Sequence, residues 1–387
     1  MRKQIVNARI VLPQGLLEGG VCAFQDGIID YIGLQPQSDA TTVLDAEGKL
    51  LLPGFVDIHC HGGNGFDFMD AQPEEMAQIA RFHLAHGTTT LVATTMTDSW
   101  ENIRSALERV SAFMKSGRQL NVYGVHLEGP WLAPSQCGAQ DTSRMGAPDV
   151  NLLRELTERY PFIHRVSAAP ELPGGHELGR AGVELGLTMS VAHTDANFHQ
   201  IEEAVENGYT LMTHLYSGMK MTERVNAFRV AGAVEAGLYD ERLCVELIAD
   251  GRHLPDALLK LVYKCKGPQG ICLVTDAMRG AGMPDGSTTK LGCMQGGVDV
   301  IIEDGVAKLP DRTSFAGSVA TTDRLLRTMH KQAGVDLVAV SQMLSGTPAK
   351  AMGYSDRGSI EVGKRADFVL INDELTVDRV ILEGETI

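Results

Sequence analysis

The sequence predicts an α/β protein: a (β/α)8 TIM-like barrel with a small β-sandwich domain formed from both ends of the chain. Two observations predict the barrel. From residue 54 onward, apolar segments alternate with segments of helical spacing, which is typical of parallel βαβ units. There are eight such apolar segments, and eight parallel strands close a barrel. The length of 387 residues suffices for a barrel and a small second domain.

The eight predicted strands are short apolar runs bounded by turn residues. They are residues 54–60, 88–95, 120–127, 162–168, 187–193, 209–215, 243–249 and 270–276. Most gaps between them carry a helical pattern; after Asp70, for example, apolar residues recur at helical spacing until Gly87. The connection 215–243 is less regular and is expected to hold a loop facing the site. Residues 289–309 alternate like a hairpin insertion, and a helical pattern returns from about 318 to 344.

Both ends of the chain are predicted to be β-structure. The expected strands are 4–12, 20–24 and 28–32 at the start, and 367–371 and 379–382 at the end. Since terminal strands frame the barrel on both sides, we expect the two sets to pair in one structural domain beside it. The predicted division is 1–52 for the first part of this domain, 53–350 for the metal-dependent barrel, and 351–387 for the second part.

Composition and charge exclude several classes of partner. A formal net charge of −15 disfavours nucleic acid and anionic membrane as non-specific partners, so an anionic substrate needs a local basic pocket. The seven cysteines are scattered, without a C-x-x-C pair, and suit a reducing compartment. Neither a signal peptide nor an apolar stretch long enough to span a membrane is evident. A cytoplasmic protein is therefore expected.

The sharpest local signal lies between Pro53 and His61, where His59 and His61 are separated by one residue. Alternate side chains of a strand leave the same face, so the two imidazoles project together, about 6–7 Å apart, close enough to share a metal ion. The intervening Cys60 is expected to point the other way. Two histidines near a strand end also occur by chance, so this pair alone leaves both metal binding and a structural role open.

A polar residue of ligand type ends four further predicted strands. These residues are Glu128, His193, His214 and Asp276. A carboxylate after so apolar a run is costly to bury without a cation. Each residue alone also fits a satisfied polar group of the core. Barrel active sites, however, are assembled at the carboxyl ends of the strands, and strands one, three, five, six and eight all bring such a residue there.

This residue set predicts metal-assisted hydrolysis. Histidine and carboxylate ligands without cysteine suit Zn²⁺, Fe²⁺, Mn²⁺ or Co²⁺ better than Mg²⁺, and the sequence does not choose among the four. A bound divalent cation lowers the pKa of water toward about 7 and polarises a carbonyl group. We expect Asp276 to be the unligated carboxylate that takes a proton from water and gives it to the leaving group. The natural reaction class is hydrolysis of an amide or related bond.

Seven motifs occur in order along the chain: Pro53–Asp57, His126–Trp131, Ala192–Thr194, Thr213–Tyr216, Ile248–His253, Leu273–Ala277 and Ala316–Ser318. In this order they resemble the amidohydrolase superfamily and, over essentially the whole length, its N-acetylglucosamine-6-phosphate deacetylase family. The resemblance implies that Glu128, His193 and His214 hold the main metal ion. His59 and His61, which some family members lack, would help to hold a second ion bridged by Glu128. One or two ions are expected, Zn²⁺ first of all.

The resemblance also implies a reaction: removal of the acetyl group from an N-acetyl amino sugar, first of all N-acetylglucosamine 6-phosphate, giving glucosamine 6-phosphate and acetate. A homodimer with a small-molecule substrate is implied as well. The expected substrate contacts are Ala139, Gln140, Ser217, Gly218, Arg229, His253, Phe315, Ala316 and Gly317.

The chain departs from the family pattern at several of these contacts. Gln140 stands where a histidine is usual, Ser217-Gly218 replaces the usual Asn-Ala, and the familiar Arg-x-Pro-Gly is missing between Lys220 and Gly232. In that connection Lys220, Arg224 and Arg229 remain as candidates for a phosphate contact, and an ordinary solvated loop remains the alternative.

Two other functions stay open. One is hydrolysis of a different amide, such as an N-acyl amino acid or a cyclic amide, which the altered substrate positions allow. The other is a binding or regulatory protein that kept the barrel and lost turnover, which the complete set of ligands and Asp276 disfavours.

Overall fold

The computed structural model describes residues 1–117 and 120–387. All eight predicted barrel strands are present, and they pair in parallel and in chain order. The ring closes between the last strand and the first through a bridge of Cys60 with Ala277 and a hydrogen bond from Asp276 N to His59 O (2.9 Å). Barrel strands 1 to 8 are Phe55–Cys60, Thr88–Thr94, Val122–Glu128, Ile163–Ala168, Thr188–Val191, Tyr209–Met212, Cys244–Leu247 and Ile271–Leu273.

Strands 5 to 8 end two or three residues earlier than the apolar runs predict, at Val191, Met212, Leu247 and Leu273. After strands 5, 6 and 8 the backbone turns into the left-handed region at the polar residue that follows, with positive φ at His193, His214 and Asp276. A residue with positive φ cannot continue a β-strand, so the hydrophobic pattern extends past the hydrogen-bonded ladder.

A helix follows every barrel strand, as the alternating pattern predicts. The seven connecting helices are Pro73–Ala85, Trp100–Lys115, Val150–Arg159, Gly175–Glu184, Phe198–Glu206, Ala233–Tyr239 and Asp256–Lys266. After strand 8 the chain runs through Thr322–Arg327, Leu337–Ser341 and Thr347–Ala351, with π-helical turns at Thr328–Gln332 and Gln342–Gly346. Short 3-10 turns lie at Pro134–Gln136, Thr142–Arg144 and Pro268–Gly270. None of the helices in the described parts is long and apolar enough to cross a membrane.

The two chain ends form one mixed sheet beside the barrel, as expected. Its strands are Arg2–Leu12, Gly15–Gln25, Ile28–Gly33, Thr42–Asp45, Leu50–Pro53, Phe368–Ile371, Val377–Leu382 and Glu385–Thr386. Phe368–Ile371 pairs antiparallel with Leu50–Pro53, which joins the two ends. Two strands separate Phe24 from Phe368 in the sheet, yet their ring centroids are 5.5 Å apart. The sheet therefore folds over on itself and encloses a separate apolar core.

Three small β-elements follow the carboxyl ends of strands 1, 6 and 8. The predicted hairpin insertion is a three-stranded sheet of Thr288–Leu291, Val298–Glu303 and Val306–Lys308. The irregular connection after strand 6 contains a hairpin of Glu223–Val225 and Phe228–Val230. A short ribbon, Gly62–Gly63 with Phe66–Asp67, follows strand 1.

Candidate active site

The first strand delivers two imidazoles to the carboxyl end of the barrel. His59 and His61 are both buried, and their Nε2 atoms lie 3.2 Å apart. Cys60 points the other way, as strand alternation predicts, and its Sγ lies 3.2 Å from Nε2 of His83. Two imidazole nitrogens that face each other at this distance repel unless a proton or a cation lies between them. The pair therefore shares a proton or binds a cation.

The six residues predicted for the site form two facing groups. His59, His61 and Asp276 make one group, and Glu128, His193 and His214 make the other; within each group the potential ligand atoms lie within 4.8 Å of one another. Both groups are buried.

Glu128 faces both groups at once. Its Oε1 lies 3.0 Å from Nε2 of His214 and 3.4 Å from Nε2 of His193, whereas its Oε2 lies 3.3 Å from Nε2 of His61. Asp276 closes the opposite side, with Oδ1 3.2 Å from Nε2 of His61 and 3.4 Å from Nε2 of His59. A carboxylate with one oxygen toward each group is positioned to bridge two cations.

The charges of the site fit a divalent cation. Burial opposes a charge on His61, but Asp276 and Glu128 raise its pKa to about 9. Burial likewise opposes ionisation of Glu128, but His59 above all lowers its pKa well below the usual value. Imidazolium groups thus balance buried carboxylates here. A metal ion supplies the same positive charge to the same nitrogen and oxygen donors.

Three of these residues sit on strained backbone. His193, His214 and Asp276 have φ of 42°, 30° and 47°, in the left-handed region that non-glycine residues avoid at a cost of about 1–2 kcal/mol each. Backbone hydrogen bonds hold two of them: His214 N donates to Glu246 (3.1 Å), and Asp276 N donates to His59 O. With this backbone conformation, the three side chains line the cavity at the carboxyl end of the barrel.

Two other buried residues, Asp57 and His126, support the first strand. Asp57 accepts from Oγ1 of Thr275 (2.5 Å) and from the backbone of His59 (3.3 Å), so it ties strand 8 to strand 1. Burial raises the pKa of Asp57 to about 6. His126 lies edge-on to the His59 ring (centroids 4.8 Å apart) and bonds Ser167 Oγ at 2.6 Å. Burial holds the pKa of His126 well below its usual value.

Sequence reasoning missed a buried ion pair beneath the site. Glu246 of strand 7 pairs with Arg165 of strand 4, and both side chains are fully buried. Glu246 also lies 3.0 Å from Nδ1 of His59. The one available signal was a charged residue in the middle of each of two apolar strand segments.

Five of the six residues, all except His59, line a cavity of about 180 Å3. Of the predicted substrate contacts, Ala139, Gln140, Ser217, Gly218, His253, Phe315 and Gly317 line it. Ala316 is buried and lies outside the lining, between Phe315 and Gly317. Arg229 is exposed on the hairpin after strand 6 and also lies outside it.

Two polar residues of the lining are held by neighbours. Gln140 accepts from Thr97 N at 3.0 Å, and its Nε2 lies 3.3 Å from Nε2 of His193. His253 bonds Asp250 through Nδ1 (2.9 Å), and its ring lies 4.8 Å from that of Phe315.

Within the described parts of the chain, neither lysine nor arginine lines the cavity. Arg279 is buried nearby but pairs with Asp70 at 2.9 Å, and Arg252 donates to the carbonyl of Asp304 at 2.7 Å. Lys220 pairs with Glu223 at 2.8 Å.

Comparison with known proteins decides the family. The model of the amidohydrolase family matches residues 50–387. The chain belongs to the amidohydrolase family. This amidohydrolase is therefore metal-dependent, and the predicted enzyme class, a hydrolase of amide bonds, is confirmed.

Individual relatives of this amidohydrolase confirm the closer resemblance. The N-acetylglucosamine-6-phosphate deacetylase of Lysinibacillus sphaericus is 31% identical over 382 residues, covering 98% of this chain and 96% of that protein. The N-acetylgalactosamine-6-phosphate deacetylase of Escherichia coli O157:H7 is 32% identical over 380 residues, covering 97% of each. The structure of N-acetyl-D-glucosamine-6-phosphate deacetylase from Mycobacterium smegmatis superposes with a TM-score of 0.91 at 30% identity, covering 100% of both chains.

Proposed function

We propose that this amidohydrolase removes the acetyl group from an N-acetyl amino sugar, with N-acetylglucosamine 6-phosphate as the first substrate to test. The products are glucosamine 6-phosphate and acetate. The single observation that carries the proposal is the pair of facing donor groups bridged by Glu128, with Asp276 at the cavity wall. The substrate comes from relatives that match nearly the whole chain and are N-acetylglucosamine-6-phosphate or N-acetylgalactosamine-6-phosphate deacetylases.

The two donor groups support the ligand roles that the family resemblance implies. Glu128, His193 and His214 would hold the main ion, and His59 and His61 would help to hold a second ion together with Glu128. A divalent cation at this site lowers the pKa of water and polarises the acetyl carbonyl. Zn²⁺ is the first candidate, and Fe²⁺, Mn²⁺ and Co²⁺ suit the same nitrogen and oxygen donors.

Asp276 carries the proton. It faces the cavity beside His61 and is fixed by its backbone bond to His59, so its carboxylate is oriented before substrate arrives. Asp276 accepts a proton from the attacking water and donates it to the nitrogen as the C–N bond breaks. Water and amide are thereby converted to acetate and amine without any other reactant.

The cavity lining selects the substrate. We propose that Ala139, Gln140, Ser217, Gly218, His253, Phe315 and Gly317 contact the acyl group and the sugar, with Ala316 shaping the wall behind them. Gln140 Nε2 is a neutral donor on the side of the cavity where His193 lies, and Phe315 offers an apolar face to a sugar ring. Arg229 remains a proposed phosphate contact that reaches the cavity only if its hairpin moves or a second subunit brings it.

A second candidate function is hydrolysis of a different, uncharged N-acyl compound. The cavity lining favours it, because none of the described residues in it is a lysine or arginine, whereas a sugar phosphate is a dianion and binds best to fixed positive charge. Gln140 in place of the family's histidine points the same way.

Location, oligomeric state and domain division complete the proposal. We propose that the protein is cytoplasmic, that it forms a homodimer, and that the structural division falls at residues 52/53 and 350/351. The first rests on the cysteine pattern and the second on the family resemblance. The third rests on the change from mixed sheet to parallel barrel at Gly54.

Metal analysis combined with acetate-release assays tests the function. The substrates are N-acetylglucosamine 6-phosphate, N-acetylgalactosamine 6-phosphate and both unphosphorylated sugars. We expect turnover that exhaustive chelation removes and Zn²⁺ restores, with the 6-phosphate preferred. Turnover of the free sugars alone would favour the second candidate. Activity that survives chelation would contradict the metal-dependent mechanism.

A further inference from the structure

Glu246 connects the two halves of the metal site. It lies in the middle of strand 7 and has no exposed surface. Its Oε2 lies 3.0 Å from Nδ1 of His59 and accepts from the backbone N–H of His214 at 3.1 Å, while its Oε1 pairs with Arg165. One carboxylate therefore contacts a residue from each of the two facing donor groups.

Arg165 fixes Glu246 in this place. Its guanidinium donates to Ser190 Oγ (2.8 Å), Thr213 Oγ1 (2.9 Å) and the carbonyl of Ile58 (3.2 Å), as well as to Glu246. These contacts span strands 1, 4, 5, 6 and 7 across the barrel interior. A buried ion pair generally adds little stability over a well-packed apolar pair, so its value here lies in the position that it imposes.

The histidines of the site are not supported equally. Nδ1 of His59 meets a carboxylate, whereas Nδ1 of His193 meets the carbonyl of Gln136 at 2.8 Å. Within the described residues, Nδ1 of His61 and Nδ1 of His214 are buried without a hydrogen-bond partner. A carboxylate at Nδ1 holds a proton there, which leaves Nε2 of His59, 3.4 Å from Asp276 and 3.7 Å from Glu128, as the nitrogen that would bind a metal ion.

We propose that Glu246, held by Arg165, is the positioning residue on which retention of the second metal ion depends. Glu246 contacts the imidazole of His59 but only the backbone N–H of His214. Because the imidazole is the group that would bind metal, we expect loss of Glu246 to affect the ion held by His59 and His61 first. The inference rests on the proposed function only in requiring that both donor groups bind metal.

Glu246→Gln tests the proposal with little change in shape. The amide keeps one acceptor oxygen but removes the negative charge that holds both the His59 proton and Arg165. We expect metal analysis under saturating Zn²⁺ to fall from two ions per subunit toward one, with affinity for the weaker ion reduced about 10–100-fold. The visible absorption of the Co²⁺-loaded protein, which reports ligand geometry without turnover, should change accordingly.

The chain offers a matched control in Asp323→Asn. Asp323 is also a buried carboxylate between a histidine and an arginine, with His86 Nδ1 at 3.2 Å and Arg327 Nη1 at 2.8 Å, but it lies in a helix outside the site. We expect this variant to lose stability and to keep two ions. Equal metal loss in both variants would mean that general destabilisation, and not positioning, explains the result, and would overturn the proposal.

The double variant Glu246→Gln, Arg165→Gln covers the case in which an unpaired buried Arg165 prevents folding. Removing both charges restores a neutral interior, whereas His59 still lacks its carboxylate. We expect a folded protein with the same loss of the second ion. Two ions bound with wild-type affinity in either folded variant would overturn the proposal, as would a wild-type protein that binds only one ion at saturation. Two ions without turnover of any acetylated sugar would instead refute the proposed substrate and leave the role of Glu246 intact.

Discussion

The floor and the rim of the cavity are built differently. The floor consists of six ligand-type residues at the ends of barrel strands, and all six are buried. The rim comes from loops: residues 138–140, 217–218, 253, 314–315 and 317, among which Gln140 and Ser217-Gly218 depart from the family pattern. Strand ends thus fix the chemistry, whereas the loops adjust which amide reaches it.

The largest effect is expected at the floor, from Asp276→Asn. The amide keeps the shape of the carboxylate but cannot shuttle a proton, so kcat for acetate release should fall about 10²–10⁴-fold. Metal content should stay unchanged, because the ligand groups still include Glu128 and four histidines. Acetate-release kinetics together with metal analysis check both expectations. Retained activity would show that another group carries the proton.

A smaller effect is expected at the rim, from Gln140→Ala. Loss of the donor beside His193 should lower kcat/KM about 10-fold, the scale of one neutral hydrogen bond, without loss of metal. Gln140→His is the informative partner variant, because it restores the residue usual in the family. A large gain on N-acetylglucosamine 6-phosphate would indicate that the natural substrate is something else. A loss on every substrate would show that the glutamine suits this cavity.

The smallest effect on activity is expected from His83→Gln, because His83 does not line the cavity. Its expected effect is on the pH dependence of stability. Burial lowers the pKa of His83 to about 4, against about 6.5 in an unfolded chain. Between these values the unfolded state binds more protons, so the free energy of unfolding should fall as the pH drops from 6.5 to 4, by up to about 3 kcal/mol. Denaturant unfolding across this window should show a shallower pH slope for the variant.

The exposed His199 supplies the control for that measurement, because its side chain is 87% exposed. His199→Gln should leave the pH slope of stability unchanged. An unchanged slope in His83→Gln as well would mean that other groups set the acid sensitivity of the protein.

The sequence predicted the barrel and the floor because both depend on local patterns. Apolar runs at regular spacing indicate the strands, and a single polar residue at the end of a run, such as Glu128 or His214, indicates a candidate ligand. Because the carboxyl ends of barrel strands lie at the same end of the barrel, these residues are predicted to lie together. The predicted strand ends were too long at His193, His214 and Asp276, since the left-handed turn there depends on hydrogen bonds from other strands.

The features that escaped prediction depend on contacts across the barrel. Arg165 and Glu246 lie 81 positions apart, and each alone is an anomaly in an apolar strand. Their partnership becomes visible only when strands 4 and 7 face each other across the interior. The exposed place of Arg229 escaped for a related reason, because loop conformation is not encoded in a short periodic pattern.

The junction of the two chain ends has a consequence for synthesis. Gly54 donates its N–H to the carbonyl of Asp367 at 2.8 Å. The strand that follows Asp367, Phe368–Ile371, pairs with Leu50–Pro53. The segment that leads into His59 and His61 thus completes its pairing only after residues 367–371 have been synthesised. A nascent or prematurely terminated polypeptide lacking those late residues would leave this segment without its partner, and we expect it to be a target for proteolysis.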